Sequence, residues 1–153
     1  NPVELISAPY IGIIANEIAY GAIEPGNNTG TLNATSVIQN IGNTGLDQQV
    51  EGESMCGTFT PSVVCPVSAT STIPSFEQEF ASTSLAYGDA QAFQLSSTTP
   101  QEVELDVAKT TSTSTYQTDT TYWGIEVPVT ITLAGAYTGL NTFYAVTAED
   151  ADW

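Results

Sequence analysis

The chain has 153 residues, 41% of them hydrophobic, and sets one Lys, no Arg and no His against 17 Asp and Glu, a formal charge of −16. So few cations cannot neutralise a phosphate backbone, which excludes nucleic acid as a partner and speaks against an anionic membrane surface. With no imidazole or guanidinium, and Lys109 as the one ammonium, most acid–base, metal and oxyanion chemistries lack their groups; no catalytic residue is assigned, and a non-enzymatic role is expected.

One domain of this length buries a core unaided. Abundant Thr and Ser, recurring Val, Ile, Tyr and Phe, and punctuation by 12 Gly and 8 Pro predict an all-β fold. The spacing suits a single β-sandwich or jelly roll of about nine or ten strands. Val3 to Ile14 opens it. This run is apolar on both alternating faces, with one charge at Glu4; it is too short to span a membrane, and Pro9 and Gly12 interrupt any helix. It reads as an extended, donor-type N-terminal segment, residues 1–15, ahead of a sandwich domain, residues 16–153.

Strands are then predicted over Glu17 to Ile23, Thr31 to Asn40, Leu46 to Glu53, Phe76 to Phe80, Gln91 to Leu95, Glu102 to Ala108, Tyr122 to Val127, Val129 to Leu133 and Thr142 to Thr147. Glu102 to Ala108 alternates most cleanly, with Val103, Leu105 and Val107 inward and Glu102, Glu104 and Asp106 outward. Turn clusters lie at Glu24 to Asn28 and Gly42 to Gly45, where Gly26, Gly42, Asn43 and Gly45 are expected to supply positive φ. Trp123 and Tyr137 are expected to fill the space between sheets.

Cys56 and Cys65 are expected to pair; closing so short a loop contributes about 2.5 kcal/mol through chain entropy. Numbering from Asn1 rather than Met is read as removal of a leader. Asn27 and Asn33 head two N-glycosylation sequons, Asn27-Asn28-Thr29 and Asn33-Ala34-Thr35. The Thr-rich stretch from Lys109 to Thr121 reads as β-forming residues on a solvated strand face. Charge, disulfide, leader and sequons together predict an extracellular, cell-surface location.

Among cofactors, only a structural Ca²⁺ suits so acidic a chain. The best clusters in sequence are Glu149, Asp150 and Asp152 near the C-terminus, and Glu51 with Glu53, although neither has the ligand order of a calcium loop. Carboxylate pairs of the glycosidase kind carry no weight, because 17 acids always supply pairs. Trp123, Trp153, Tyr116 and Tyr122 are the candidates for a sugar-stacking face. An isopeptide bond from Lys109 lacks a partner motif.

Three stretches carry a resemblance. Ala19-Tyr20-Gly21-Ala22-Ile23-Glu24-Pro25-Gly26 is followed by Val37-Ile38-Gln39-Asn40-Ile41-Gly42-Asn43-Thr44-Gly45-Leu46-Asp47 and by Val50-Glu51-Gly52. This order resembles the opening of secreted prokaryotic surface β-sandwiches of the TasA and camelysin type, which include biofilm fibre subunits. Tyr122 to Pro128 and Gly135 to Phe143 resemble a closing pattern of archaeal and bacterial surface proteins. The resemblance covers about half the chain and implies a sandwich fold and a surface location, with no catalytic residues to transfer.

These readings converge on a structural subunit of an extracellular filament, a head-to-tail homopolymer of identical subunits without membrane insertion. Val3, Leu5, Ile6, Tyr10, Ile11, Ile13 and Ile14 are the expected interface, inserted as a donor strand in a neighbour's sheet. The alternatives are a non-filamentous or S-layer-like surface domain, with the segment paired in its own sheet, and a carbohydrate-binding module.

Overall fold

In the computed structural model, which describes residues 6–15, 17–60, 65, 72–112 and 114–149, ten strands and one 3-10 turn carry the fold, and the described residues contain no α-helix. The strands are β1 (Ile11–Ile13), β2 (Ala34–Asn40), β3 (Leu46–Gly52), β4 (Met55–Cys56), β5 (Thr72–Ile73), β6 (Gln78–Ala81), β7 (Phe93–Gln94), β8 (Gln101–Val107), β9 (Gln117–Ile125) and β10 (Asn141–Thr147). A five-stranded sheet runs β1-β2-β9-β6-β7, a three-stranded sheet runs β10-β3-β8, and β4 with β5 forms a small ribbon. Every pairing is antiparallel.

The two larger sheets share one core, which makes the protein an all-β sandwich. Ile38, Phe80 and Trp123 enter it from the five-stranded sheet, and Leu46, Val50, Val103, Leu105 and Val107 from the three-stranded one. The alternation of β8 is the one its sequence predicts, since Val103, Leu105 and Val107 are buried and Glu104 and Asp106 exposed. Trp123 is fully buried, with ring centroids 5.0 Å from Phe80 and 6.2 Å from Phe143. Its indole N–H donates to Ser36 Oγ at 2.9 Å, so the one polar atom of the ring is satisfied. A second cluster of Ile73, Ile125, Val127 and Ile131 packs with Met55 and Tyr137.

Several predicted strands change. Glu17 to Ile23 has the period of a strand, because Ile18 and Tyr20 turn towards the core, but no strand forms there and Gly21 takes φ 78°. Val129 to Leu133 is a loop; Pro128 opens a turn closed by the Ile131 amide on its carbonyl, and Val129 and Leu133 face solvent. Phe76 lies in the 3-10 turn Ser75–Glu77 rather than in β6, and the Gln91 to Leu95 strand shortens to β7. The Thr-rich stretch supplies the start of β9, where Gln117 to Thr121 pair with Ser36 to Asn40. Of the residues expected at positive φ around the two turns, only Gly26 has it.

Candidate functional site

The N-terminal segment joins its own chain as an edge strand. Ile11, Gly12 and Ile13 pair with Asn40, Gln39 and Ile38 of β2. The ladder continues at both ends, with Ile14 N–H donating to the Val37 carbonyl at 3.0 Å and Ile41 N–H to the Tyr10 carbonyl at 3.0 Å. Cross-strand partners share a face, so Ile11 and Ile13 lie on the side of Ile38; Ile11 packs against the main core, whereas Ile13 is 46% exposed. Tyr10 and Ile14 take the opposite face, 60% and 57% exposed, and Ile6 is 81% exposed. The two-sided apolar pattern thus resolves into one face that meets the core at Ile11 and one left in water. The expected free donor segment is, in this single chain, the edge of its own sheet rather than a unit apart from residues 16–153, because β2 offers an open ladder beside it. Val3 and Leu5 lie outside the described residues.

What grips the segment is the loop after β2. Asn43 Nδ2 donates to the Ile6 carbonyl at 3.0 Å and Asn43 Oδ1 accepts from Ala8 N–H at 2.8 Å. The Asn43 backbone N–H donates to the Ala8 carbonyl at 3.3 Å. One side-chain amide therefore reads two backbone groups of an extended peptide, and no side chain of that peptide. Gly42 makes room: a Cβ there would stand 2.4 Å from the Ala8 oxygen and 2.7 Å from the Tyr10 nitrogen. Its role is close backbone approach, which corrects the expected positive φ. Behind the clamp, buried Asn40 donates to the carbonyls of Thr44 (2.7 Å) and Val107 (3.0 Å) and accepts from Gly42 N–H at 2.9 Å, which fixes the loop to the end of β8. These residues belong to the Asn-Ile-Gly-Asn run that sequence reading took as turn chemistry alone.

The end of the three-stranded sheet gathers acids. The β3–β8 register shifts between Leu46 and Gln48, which face Val107 and Val103, so Asp47 stands alone opposite Glu104, Leu105 and Asp106. Asp47 is fully buried, and its Oδ1 accepts from Leu105 N–H at 2.8 Å and Asp106 N–H at 2.7 Å, replacing the broken ladder. Asp106 takes φ 52° at this bulge. Glu149 follows β10, beside the Ala148 N–H bond to the Gly45 carbonyl. One carboxylate oxygen from each of Asp47, Glu104, Asp106 and Glu149 lies within 4.8 Å of the others. Partial desolvation, then the charges of Asp47, Glu149, Glu102 and Asp106, hold the Glu104 carboxyl above its ordinary range. Of the predicted metal candidates only Glu149 falls in this group; Asp150 and Asp152 lie outside the described residues. Glu51 instead accepts the Tyr144 hydroxyl, which raises the phenol above its usual range.

The remaining predicted sites separate. Cys56 and Cys65 form the disulfide, with Cα atoms 5.9 Å apart. Asn27 is exposed, whereas the Asn33 amide is engaged, donating to the Leu85 carbonyl at 2.9 Å and accepting from Ser84 Oγ at 2.7 Å. Trp123, buried in the core, cannot stack on a sugar, which removes the centre of the expected aromatic face. Tyr116 is exposed, Tyr122 half-buried, and Trp153 lies outside the described residues. Lys109 is exposed just after β8. No helix among the described residues is long and apolar enough to cross a membrane. Comparison with family models, curated proteins and solved structures gives no match to this chain.

Proposed function

We propose that this protein is a non-enzymatic structural subunit of an extracellular, cell-surface filament, assembled when the N-terminal strand leaves its own sheet and occupies the same place on the next subunit. The observation that carries the reading is the Gly42–Asn43 clamp. It grips Ile6 to Tyr10 through backbone groups and a tight glycine contact, which is how a sheet edge takes an added peptide strand. A second copy presents the identical strand, so exchange between copies preserves every contact and is a low-cost route to association. Passing each strand to the next copy gives a head-to-tail chain that does not close on itself. The exposed Tyr10, Ile14 and Ile6 give an added reason to associate, since an apolar edge strand in water is a standing aggregation surface. The charge of −16 favours assembly where salt or acid screens it. The disulfide and the exposed Asn27 sequon suit an oxidising, extracellular setting.

Gly12 and Gln39 face each other in the ladder, so single variants Gly12→Cys and Gln39→Cys, mixed, assembled and oxidised, test the exchange. A covalent dimer spanning the two variants, with filaments under negative stain, is expected, and Ile11→Asp should abolish both. Absence of mixed dimers and filaments under screened conditions, with a Gly12→Cys/Gln39→Cys double variant closing only within one chain, would show that β1 stays at home.

A further inference from the structure

We propose that Asp47, Glu104, Asp106 and Glu149 form a Ca²⁺ site that ties the β3–β8 bulge to the end of β10. This does not rest on strand exchange, since the four residues lie outside β1, β2 and the loop that grips the N-terminal segment. Two observations carry it. The first is the grouping: one carboxylate oxygen from each of the four residues lies within 4.8 Å of the others, close enough for all four to contact a single Ca²⁺ at about 2.4 Å. The donors are all hard oxygens, which suits an alkaline-earth ion and not zinc or copper.

The second is Asp47 itself. Holding the bulge uses Oδ1, which accepts both backbone amides. That structural role accounts for one oxygen only. Oδ2 of this fully buried side chain has no hydrogen-bond partner, and a buried carboxylate oxygen left bare is costly. A cation among the other three carboxylates satisfies it. The ligands come from β3, from β8 and from the stretch just after β10, distant in sequence, with Asp47 fixed by its two amide bonds and Glu149 completing the site from the chain's return. Binding would fasten β10, an edge strand of its sheet, to β3 beside it and to β8 beyond.

The test titrates CaCl₂ into the EDTA-stripped full chain, read by calorimetry and by thermal melting. One saturable site with Kd at or below about 1 mM is expected, in the range of extracellular calcium modules, together with a melting temperature that climbs with calcium. Glu104→Gln with Glu149→Gln removes two exposed ligands; it should weaken binding by about tenfold or more while melting in EDTA stays equal or rises. Asp47→Asn keeps the Oδ1 acceptor and should bind no calcium; if it fails to fold, the double variant still decides. The proposal is overturned if no saturable binding appears up to about 10 mM. It is equally overturned if MgCl₂ gives the same shift at the same concentration and the double variant retains it, since that is general screening of an acidic surface.

Discussion

Ala8 and Asn43 hold each other twice: the Ala8 amide donates to Asn43 Oδ1 at 2.8 Å, and the Asn43 amide donates to the Ala8 carbonyl at 3.3 Å. Only the first of these bonds needs the Asn side chain. Asn43→Ala removes it along with the bond to the Ile6 carbonyl, at about 1 kcal/mol each. Hydrogen exchange at Ala8 and Ile14 should accelerate about tenfold or more, with protection in the central strand β9 unchanged. Gly42→Ala should release the segment further, because its Cβ meets backbone atoms that cannot step aside. Equal exchange in all three proteins would show that the clamp does not hold the strand.

Asn40 should be far less tolerant of change than Asn43. Asn40→Asp is nearly isosteric but turns an amide nitrogen that serves carbonyls of Thr44, Val107 and Ala108 into a buried oxygen facing them. A loss of about 3 kcal/mol or more is expected in urea unfolding, from acceptors left facing an acceptor.

Trp123→Ala opens the centre of the sandwich between Phe80 and Phe143. The expected cost is about 3–5 kcal/mol, with Ser36 losing its donor. Denaturant unfolding measures it, and a loss below about 1 kcal/mol would contradict the packing described.

Reduction of the Cys56–Cys65 bridge should cost about 2.5 kcal/mol without abolishing the fold, because the main core lies in the two larger sheets and not in the ribbon that carries Cys56. Intact-mass measurement after alkylation of the native, unreduced protein should show neither thiol modified.

The raised Glu104 carboxyl sets a pH dependence whose sign follows from linkage. A carboxyl with a folded-state pKa above its unfolded value contributes stability at low pH and loses it as pH rises through the folded value. In EDTA, Glu104→Gln should therefore be more stable than the parent at neutral pH, and the two should converge below about pH 3.5, under the ordinary Glu value, where the carboxyl is mostly protonated in both states. Melting curves of both proteins across this range decide it; a constant difference would mean that Asp47, Asp106, Glu102 and Glu149 do not act on Glu104 as described.

Much of the sandwich was legible in the sequence, since β8 alternates cleanly and β2 alternates up to the Gly42 to Gly45 turn. The failures share a cause. Ile18 and Tyr20 have a strand's periodicity because they cover the core, but a strand also needs a neighbour with an open ladder, and pattern alone does not reveal one. The calcium candidates failed in a related way. Glu149, Asp150 and Asp152 are close in sequence, whereas the group that forms takes Asp47, Glu104 and Asp106 from other strands through a register shift that no local pattern announces. The one available signal was an Asp directly after the Leu46 that opens a strand with apolar Leu46 and Val50 on one face. Asn43 had none: a side chain that clamps a peptide and one that caps a turn are the same residue in the same Gly-Asn pair.

The direction of the β1–β2 ladder has a mechanical consequence. Antiparallel ladder bonds lie across the strands, so tension passed along residues 6–14 loads the bonds at Ala8, Tyr10 and Ile14 in shear, together, instead of opening them one at a time as peeling would. In the filament proposed above, a joint of this geometry would be weak to slow thermal fraying at its ends and strong to a steady pull, the combination a thread under drag or flow requires.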